Sequence, residues 1–330
     1  MKKKYFFLLL TALYLLVTPA VADQAGPLKK AVFIPHWSPQ GQFAGYFVAQ
    51  EKGIYKKYGL DLTILPGGPS RSPVDYLRAK KADFGSLWLC TALQKKDQGL
   101  DLVNISQIVQ RSALMLVARK ESGIKAPQDM EGKKIGLWRD EFQIQPRALF
   151  KKYHLKVKII PQSFSVDLFL RGGVDVASAM WYNEFHTILN SGVNLEELNT
   201  FFFLEYDLNF PEDGLYCLRE TLSRDPEMVK AFVRASLEGW LYAFDHPQET
   251  LDIIIKAMRQ AKIPANRVHQ QWMLARMKDL ILGPEPREKL GNLKEADFQR
   301  VSDELKKIGL IKKIPSFKDF CQESAGYVQK

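Results

Sequence analysis

The chain has 330 residues, 46% of them hydrophobic, 12% aromatic and 25% charged. That composition belongs to a chain that buries a core, and it excludes a disordered, collagen-like or disulfide-framework protein. The net charge is +10, and beyond the first residues it is spread without a Lys/Arg block, so nothing there marks a nucleic-acid footprint.

In chain order, the first feature is an export signal. Met1-Lys2-Lys3-Lys4 is a positive start, residues 5–17 are almost unbroken apolar residues, and Ala20-Val21-Ala22 fits the small-x-small cleavage rule. Cleavage after Ala22 is expected, which places the mature protein outside the cytoplasmic membrane. It also removes three lysines and no acids, taking the charge from +10 to +7. The apolar run is short for a membrane span of about 20 residues.

Alternating strands and helices follow. Residues 31–35 read as a strand, 42–58 as a helix stopping at Gly59, and 60–65 as a strand broken by Pro66-Gly67-Gly68-Pro69. A helix over 73–80 leads to a strand at 82–87, a helix to Gln98, and strands at 102–109 and 114–118. The theme repeats with strands at 134–138, 157–160 and 174–180 and helices at 144–153, 165–171 and 183–190. Strands at 201–205 and 215–218 are expected to return to the first unit, and the chain is helical from Asp225 onward.

This order predicts an α/β protein of two lobes, each a mainly parallel sheet flanked by helices. Lobe 1 is expected over 23–118 and 206–330, lobe 2 over 119–205, with a ligand cleft between them. In such sheets ligands sit beyond the carboxyl ends of the strands, and two facing lobes can close around a small molecule by a hinge. The alternative is a single large α/β domain.

Four tryptophans, Trp37, Trp88, Trp138 and Trp181, fall at or just past expected strand ends, two per lobe. Aromatic faces there favour a flat, π-rich guest; packing between or within lobes is the other reading. Tyr182, Asn183 and Glu184 follow the strand that carries Trp181. Glu184 can accept charge-assisted hydrogen bonds, or Asn183 can cap the next helix with Glu184 in its first turn. Asp140, Glu141 and Phe142 form the loop after Trp138, and Gln42 and Tyr46 are further candidates for the cleft, with His36 beside Trp37. Ser70 and Arg71, before the helix at 73–80, are candidate anion ligands or part of a plain Gly/Pro turn. The five histidines show no metal-ligand spacing, and Cys90, Cys217 and Cys321 are too far apart for a paired metal or redox motif.

Residues 42–61, QFAGYFVAQEKGIYKKYGLD, resemble the signature of periplasmic binding proteins for nitrate, sulfonates and thiamine-pyrimidine precursors. Ala79-Lys80-Lys81-Ala82-Asp83-Phe84-Gly85 resembles their "G(K/R)ADFG" strand. Residues 127–136 resemble "P.DL.GKKIG", and residues 172–177 resemble "G.VDA". Within that group Trp37-Ser38-Pro39, residues 142–145 and Asn183-Glu184 look most like the branch shared by thiamine-pyrimidine-precursor binding proteins and the fungal-type pyrimidine synthase.

The resemblance implies a two-lobe periplasmic-binding-protein fold without cofactor or metal. It implies a monomeric solute-binding subunit of an ABC importer, with an ABC permease as membrane partner and an aminopyrimidine-like ligand. Trp37 and Trp181 would stack on that ligand, and Asn183 and Glu184 would bond its polar edge. The branch also contains an enzyme that uses a lysine-bound pyridoxal phosphate and consumes its own histidine. Leu87 and Thr91 stand at those two positions, and only Cys217 stands near the enzyme's cysteine-rich iron stretch, so the binder is expected. The alternatives on the same fold are a pyrimidine-forming enzyme, a sulfonate or small-anion binder, and a ligand sensor for a membrane receptor.

Overall fold

The structure is a computed structural model and describes residues 27–283 and 287–322. The export signal and its cleavage site at Ala22 lie outside the described residues. Ten strands form two five-stranded sheets. The first has the order β2-β1-β3-β10-β4, with β1 Lys29–Ile34, β2 Leu60–Ile64, β3 Phe84–Trp88, β4 Leu102–Gln107 and β10 Asp213–Leu218. The second has the order β7-β6-β8-β5-β9, with β5 Leu114–Arg119, β6 Lys134–Leu137, β7 Lys158–Pro161, β8 Val176–Met180 and β9 Leu198–Phe202.

The two sheets share one plan. In the first, β2, β1 and β3 are parallel and β10 runs antiparallel between β3 and β4. In the second, β7, β6 and β8 are parallel and β5 runs antiparallel between β8 and β9. The reversed strands are the two that follow a crossing between lobes. A strand that enters a sheet from the cleft runs away from it, whereas β1, β3, β6 and β8 run towards it and deliver their following loops there.

This pairing corrects the expected division at residue 118. Strand β5 belongs wholly to the second sheet, so the first crossing occupies residues 108–113 and the second residues 208–212. The strand expected to return at 201–205 instead ends at Phe202 and stays in the second sheet beside β5. An apolar run signals a strand but not its partner. The helix expected over 42–58 is likewise two pieces, Ala44–Glu51 and Ile54–Lys57, because Gly53 takes a left-handed conformation at φ 69°.

The C-terminal part adds the helices Pro226–Asp245, Pro247–Gln260, Arg267–Ile281 and Glu295–Lys307. Pro226–Asp245 closes the core of lobe 1: Phe232 stacks on Phe84 at 4.0 Å, and Trp240 is fully buried against Tyr46. Its approach to Ala44–Glu51 depends on two glycines. A Cβ on Gly239 would stand 2.2 Å from the Gly45 carbonyl, and one on Gly45 would stand 2.4 Å from the Trp240 ring. Among the described residues no helix is long and apolar enough to cross a membrane, and Cys90 and Cys217 are buried free thiols.

Gly239→Ala is expected to destabilise the protein by about 2–3 kcal/mol, because backbone and not a flexible side chain blocks the added methyl. Urea unfolding measures it. A loss below about 0.5 kcal/mol, the ordinary surface value, would mean that the helices separate without strain.

Candidate functional site

The loops after β1, β3, β6 and β8 converge between the lobes around a cavity of about 150 Å³. Its wall contains His36, Trp37, Gln40, Gln42 and Trp88 from lobe 1, and Trp138, Phe142, Phe164, Met180, Tyr182, Asn183 and Glu184 from lobe 2. A wider antechamber of about 390 Å³ shares Trp37, Trp88, Phe142 and Phe164 and continues past Arg71, Thr91, Lys95, Asp140 and Glu141.

The lobes touch through aromatic edges. Trp37 meets Phe164 at 5.1 Å, and Phe142 lies edge-on between Trp88, at 4.9 Å, and Trp138, at 5.6 Å. Trp138 is fixed by its indole N–H, which donates to the Ser163 carbonyl at 2.9 Å. The backbone at residues 35–37 is braced by Gly67: a Cβ there would lie 2.1 Å from the Pro35 carbonyl. The Pro/Gly segment is therefore a bracing turn. Ser70 is exposed and lines neither space, and Arg71 donates to the Pro66 carbonyl at 2.7 Å while facing the antechamber.

Two further expectations are corrected. Tyr46 is not in the cleft wall; it packs among Phe33, Phe43 and Trp240 in the core of lobe 1, since the helical period turns it inward. Trp181 also leaves the cavity. Met180 and Tyr182 line it, and the residue between them points the other way, onto Phe202 and the Arg276 guanidinium. Asp140 and Glu141 face the antechamber rather than the inner cavity.

Carboxylates dominate the polar edge. Glu184 is only 7% exposed; its Oε2 accepts from the Met180 amide at 3.0 Å and its Oε1 from Asn183 Nδ2 at 2.8 Å. Burial raises its pKa to about 7 against those hydrogen bonds. Across the cavity Asp213 sits behind the wall and holds two of its polar groups, His36 Nδ1 at 2.9 Å and Gln42 Nε2 at 2.8 Å. Burial alone would lower the His36 pKa; the Asp213 charge and hydrogen bond outweigh it, with help from Glu141, and hold it above the usual value. Asp213 escaped the sequence reading because only one acidic pair, Glu212-Asp213, precedes an otherwise apolar strand. Phe164 was also missed; an aromatic residue 62% exposed in a polar loop was its signal.

Beneath the cavity the two crossings are tied together. Glu212 Oε1 accepts from the Ala113 amide at 2.5 Å, the Leu114 amide at 3.1 Å and Ser112 Oγ at 3.1 Å. Gln145 joins them from lobe 2: Ser112 Oγ lies 3.1 Å from its Oε1, and its Nε2 donates to the Leu208 carbonyl at 2.8 Å. Burial, then the Asp213 charge, raises the Glu212 pKa to about 8.

The positions that correspond to the lysine and histidine of the resembled synthase carry Leu87 and Thr91. Leu87 and Thr91 both face the antechamber, and neither can form an imine or give up an imidazole. An amine and an imidazole, Lys95 and His36, line the antechamber at other positions; Lys95 donates to Gln98 at 3.1 Å. Among the described residues no group of His, Cys, Asp or Glu is clustered to hold a metal ion.

Residues 40–250 match the family model described as NMT1/THI5 like. The chain is 24% identical over 249 residues to the 4-amino-5-hydroxymethyl-2-methylpyrimidine phosphate synthase of Legionella pneumophila, covering 71% of this chain and 76% of that protein. It is also 24% identical over 264 residues to the riboflavin-binding protein RibY of Chloroflexus aurantiacus, covering 74% and 73%. In fold it is similar to the periplasmic aliphatic sulphonate binding protein SsuA of Escherichia coli, at a TM-score of 0.69 and 15% identity over 89% of this chain and 92% of that one.

The raised Glu212 carboxyl predicts a pH-dependent contribution to stability at the crossings. Its folded value, about 8, lies above the ordinary 4.5, so the stabilisation it gives is full below that ordinary value and is lost as pH rises through the folded one. Glu212→Gln keeps a carbonyl acceptor for the same amides. It is expected to flatten the fall in unfolding free energy between pH 5 and pH 9, by roughly 1–3 kcal/mol. Urea unfolding at both pH values measures this; parallel curves for the two proteins would mean that the carboxyl titrates normally. With its two-lobe fold and a match spanning 40–250, the chain belongs to the NMT1/THI5-like family.

Proposed function

We propose that this protein is the exported solute-binding subunit of an ABC importer, and that it closes its lobes over a single-ring, cationic nitrogen heterocycle of the aminopyrimidine class. The observation that carries the reading is the inner cavity: Trp37, Trp88, Trp138 and Phe142 around a space of about 150 Å³, with the buried Glu184 carboxyl at its edge. A cavity of about that volume holds one six-membered ring, which favours a pyrimidine over the three fused rings of riboflavin. Burying a carboxyl without a cationic partner is costly, so Glu184 favours a guest that brings an exocyclic amine and a protonated ring nitrogen.

The same charge argues against the sulfonate alternative. An anion in this cavity would meet Glu184 directly, with Asp213 just behind the wall and His36 already engaged by it. The fold, the positive start followed by an apolar run, and the similarity to a periplasmic binding protein support export and a permease partner. The pyrimidine in the name of the Legionella relative supports the ligand class. Leu87 and Thr91 argue for binding without turnover.

Calorimetric titration with 4-amino-5-hydroxymethyl-2-methylpyrimidine, riboflavin and an alkanesulfonate tests the choice, together with mass spectrometry of any molecule released from the purified protein. The aminopyrimidine is expected to bind tightest, and Glu184→Gln to weaken it more than about tenfold. Tighter binding of the sulfonate, or unchanged aminopyrimidine affinity in the variant, would refute the assignment.

A further inference from the structure

A second bridge joins the lobes beside the cavity, independent of the crossings. It starts at His269 on the lobe-1 helix Arg267–Ile281, where Asn266 Oδ1 caps the helix by accepting from the His269 amide at 3.0 Å. The His269 ring reaches lobe 2 with both nitrogens. Nε2 lies 2.8 Å from Asn183 Oδ1, and Nδ1 lies 2.9 Å from His186 Nδ1 on the helix Glu184–Asn190.

The hydrogen-bond inventory fixes the direction of this chain. Asn183 Nδ2 donates to Glu184 Oε1 at 2.8 Å, so the Asn183 atom facing His269 is the carbonyl oxygen, an acceptor. His269 Nε2 therefore carries a hydrogen. In the neutral ring Nδ1 is then the acceptor, and the hydrogen between the two rings comes from His186. Asn190 Nδ2 stands 3.1 Å from the same His186 nitrogen; this direction requires that amide turned, with its oxygen accepting from His186. The donors run one way: His186 to His269, His269 to Asn183, Asn183 to Glu184. The chain ends on the carboxylate at the cavity edge.

The bridge is packed on its outer side. The His186 ring stacks on Trp272 at 4.8 Å and 14°, the Trp272 indole N–H donates to the Trp181 carbonyl at 3.0 Å, and Arg276 lies over both indoles. This accounts for Trp181, which the cavity does not use. The charged groups that reach the pair are Glu184, through Asn183, and Arg276, through Trp272. Burial lowers the pKa of both rings, and the His186 charge lowers that of His269 further. One proton can be shared between facing nitrogens. Two cannot, because both Nδ1 atoms would then be N–H groups 2.9 Å apart.

We propose that His269 is a positioning residue that couples lobe closure to the ligand carboxylate: it polarises Glu184 through Asn183 only when the lobes meet, and the histidine pair parts when doubly protonated. The role rests on the reading of Glu184 as the ligand's acceptor. For rings whose closed-state pKa is depressed, closure is favoured above the ordinary value near 6.5 and weakens as pH falls through the depressed one.

Two readouts on the full chain test it, one of them without ligand. Carbon-13 NMR of labelled glutamates, assigned with Glu184→Gln, follows the Glu184 carboxyl; calorimetry follows the aminopyrimidine between pH 7.5 and 5.5. His269→Ala is expected to raise the Glu184 titration by about half a unit or more and to weaken binding at pH 7.5 by about fivefold. His269→Gln, whose amide can still donate to Asn183, is expected to restore both within about twofold and to show a shallower loss of affinity towards pH 5.5 than the unaltered protein. An unmoved Glu184 titration in His269→Ala overturns the proposal, whatever the ligand result. A moved titration in a protein that binds no aminopyrimidine keeps the relay and overturns the ligand assignment instead.

Discussion

The chain crosses between lobes twice, and the rest of the site depends on how those crossings are held. Residues 108–113 and 208–212 lie side by side, with Ser112, Glu212, Asn209 and Gln145 bonding across them. Because β5 and β10 leave the crossings and run away from the cleft, the parallel strands of both sheets must run towards it. Their following loops then bring Trp37, Trp88, Trp138 and Glu184 to one place. A buried, largely hydrogen-bonded hinge allows rotation of one lobe against the other without exposing a core, which is the usual economy of hinge closure.

The cavity combines apolar walls with charge kept behind them. Asp213 does not line the inner space, yet it orients His36 and Gln42, which do. Glu184 lines it directly and is held by the Met180 amide and Asn183. A buried carboxyl of this kind is neutralised either by a proton or by a cationic partner. The antechamber differs, since Arg71 and Lys95 line it as well as Asp140 and Glu141.

The relatives of this chain include a protein named for binding and one named for synthesis, and the fold does not choose between them. The choice lies in single positions. A synthase of the kind resembled needs an amine and an imidazole where this chain has Leu87 and Thr91. The proposed relay, from the histidine pair through Asn183 to Glu184, spans both lobes.

Much of the fold was legible because periodicity and turn chemistry are local. The strand and helix order, the Gly/Pro turn at 66–69 and the placement of Trp37, Trp88, Trp138 and Glu184 at strand ends all follow from spacing along the chain. The alternation that put Trp181 outside and the helical turn that buried Tyr46 were also local, but the faces they point to are set by what packs there. Strand partners and the boundary at residues 108–113 join separate segments, and the meetings of Asp213 with His36 and of His269 with Asn183 join residues 177 and 86 positions apart. One sequence determined which segments form and which of them end in chemistry-bearing loops. Only the tertiary structure decided which carboxyls are buried and which side chains meet, because burial and contact depend on distant segments that no local pattern encodes.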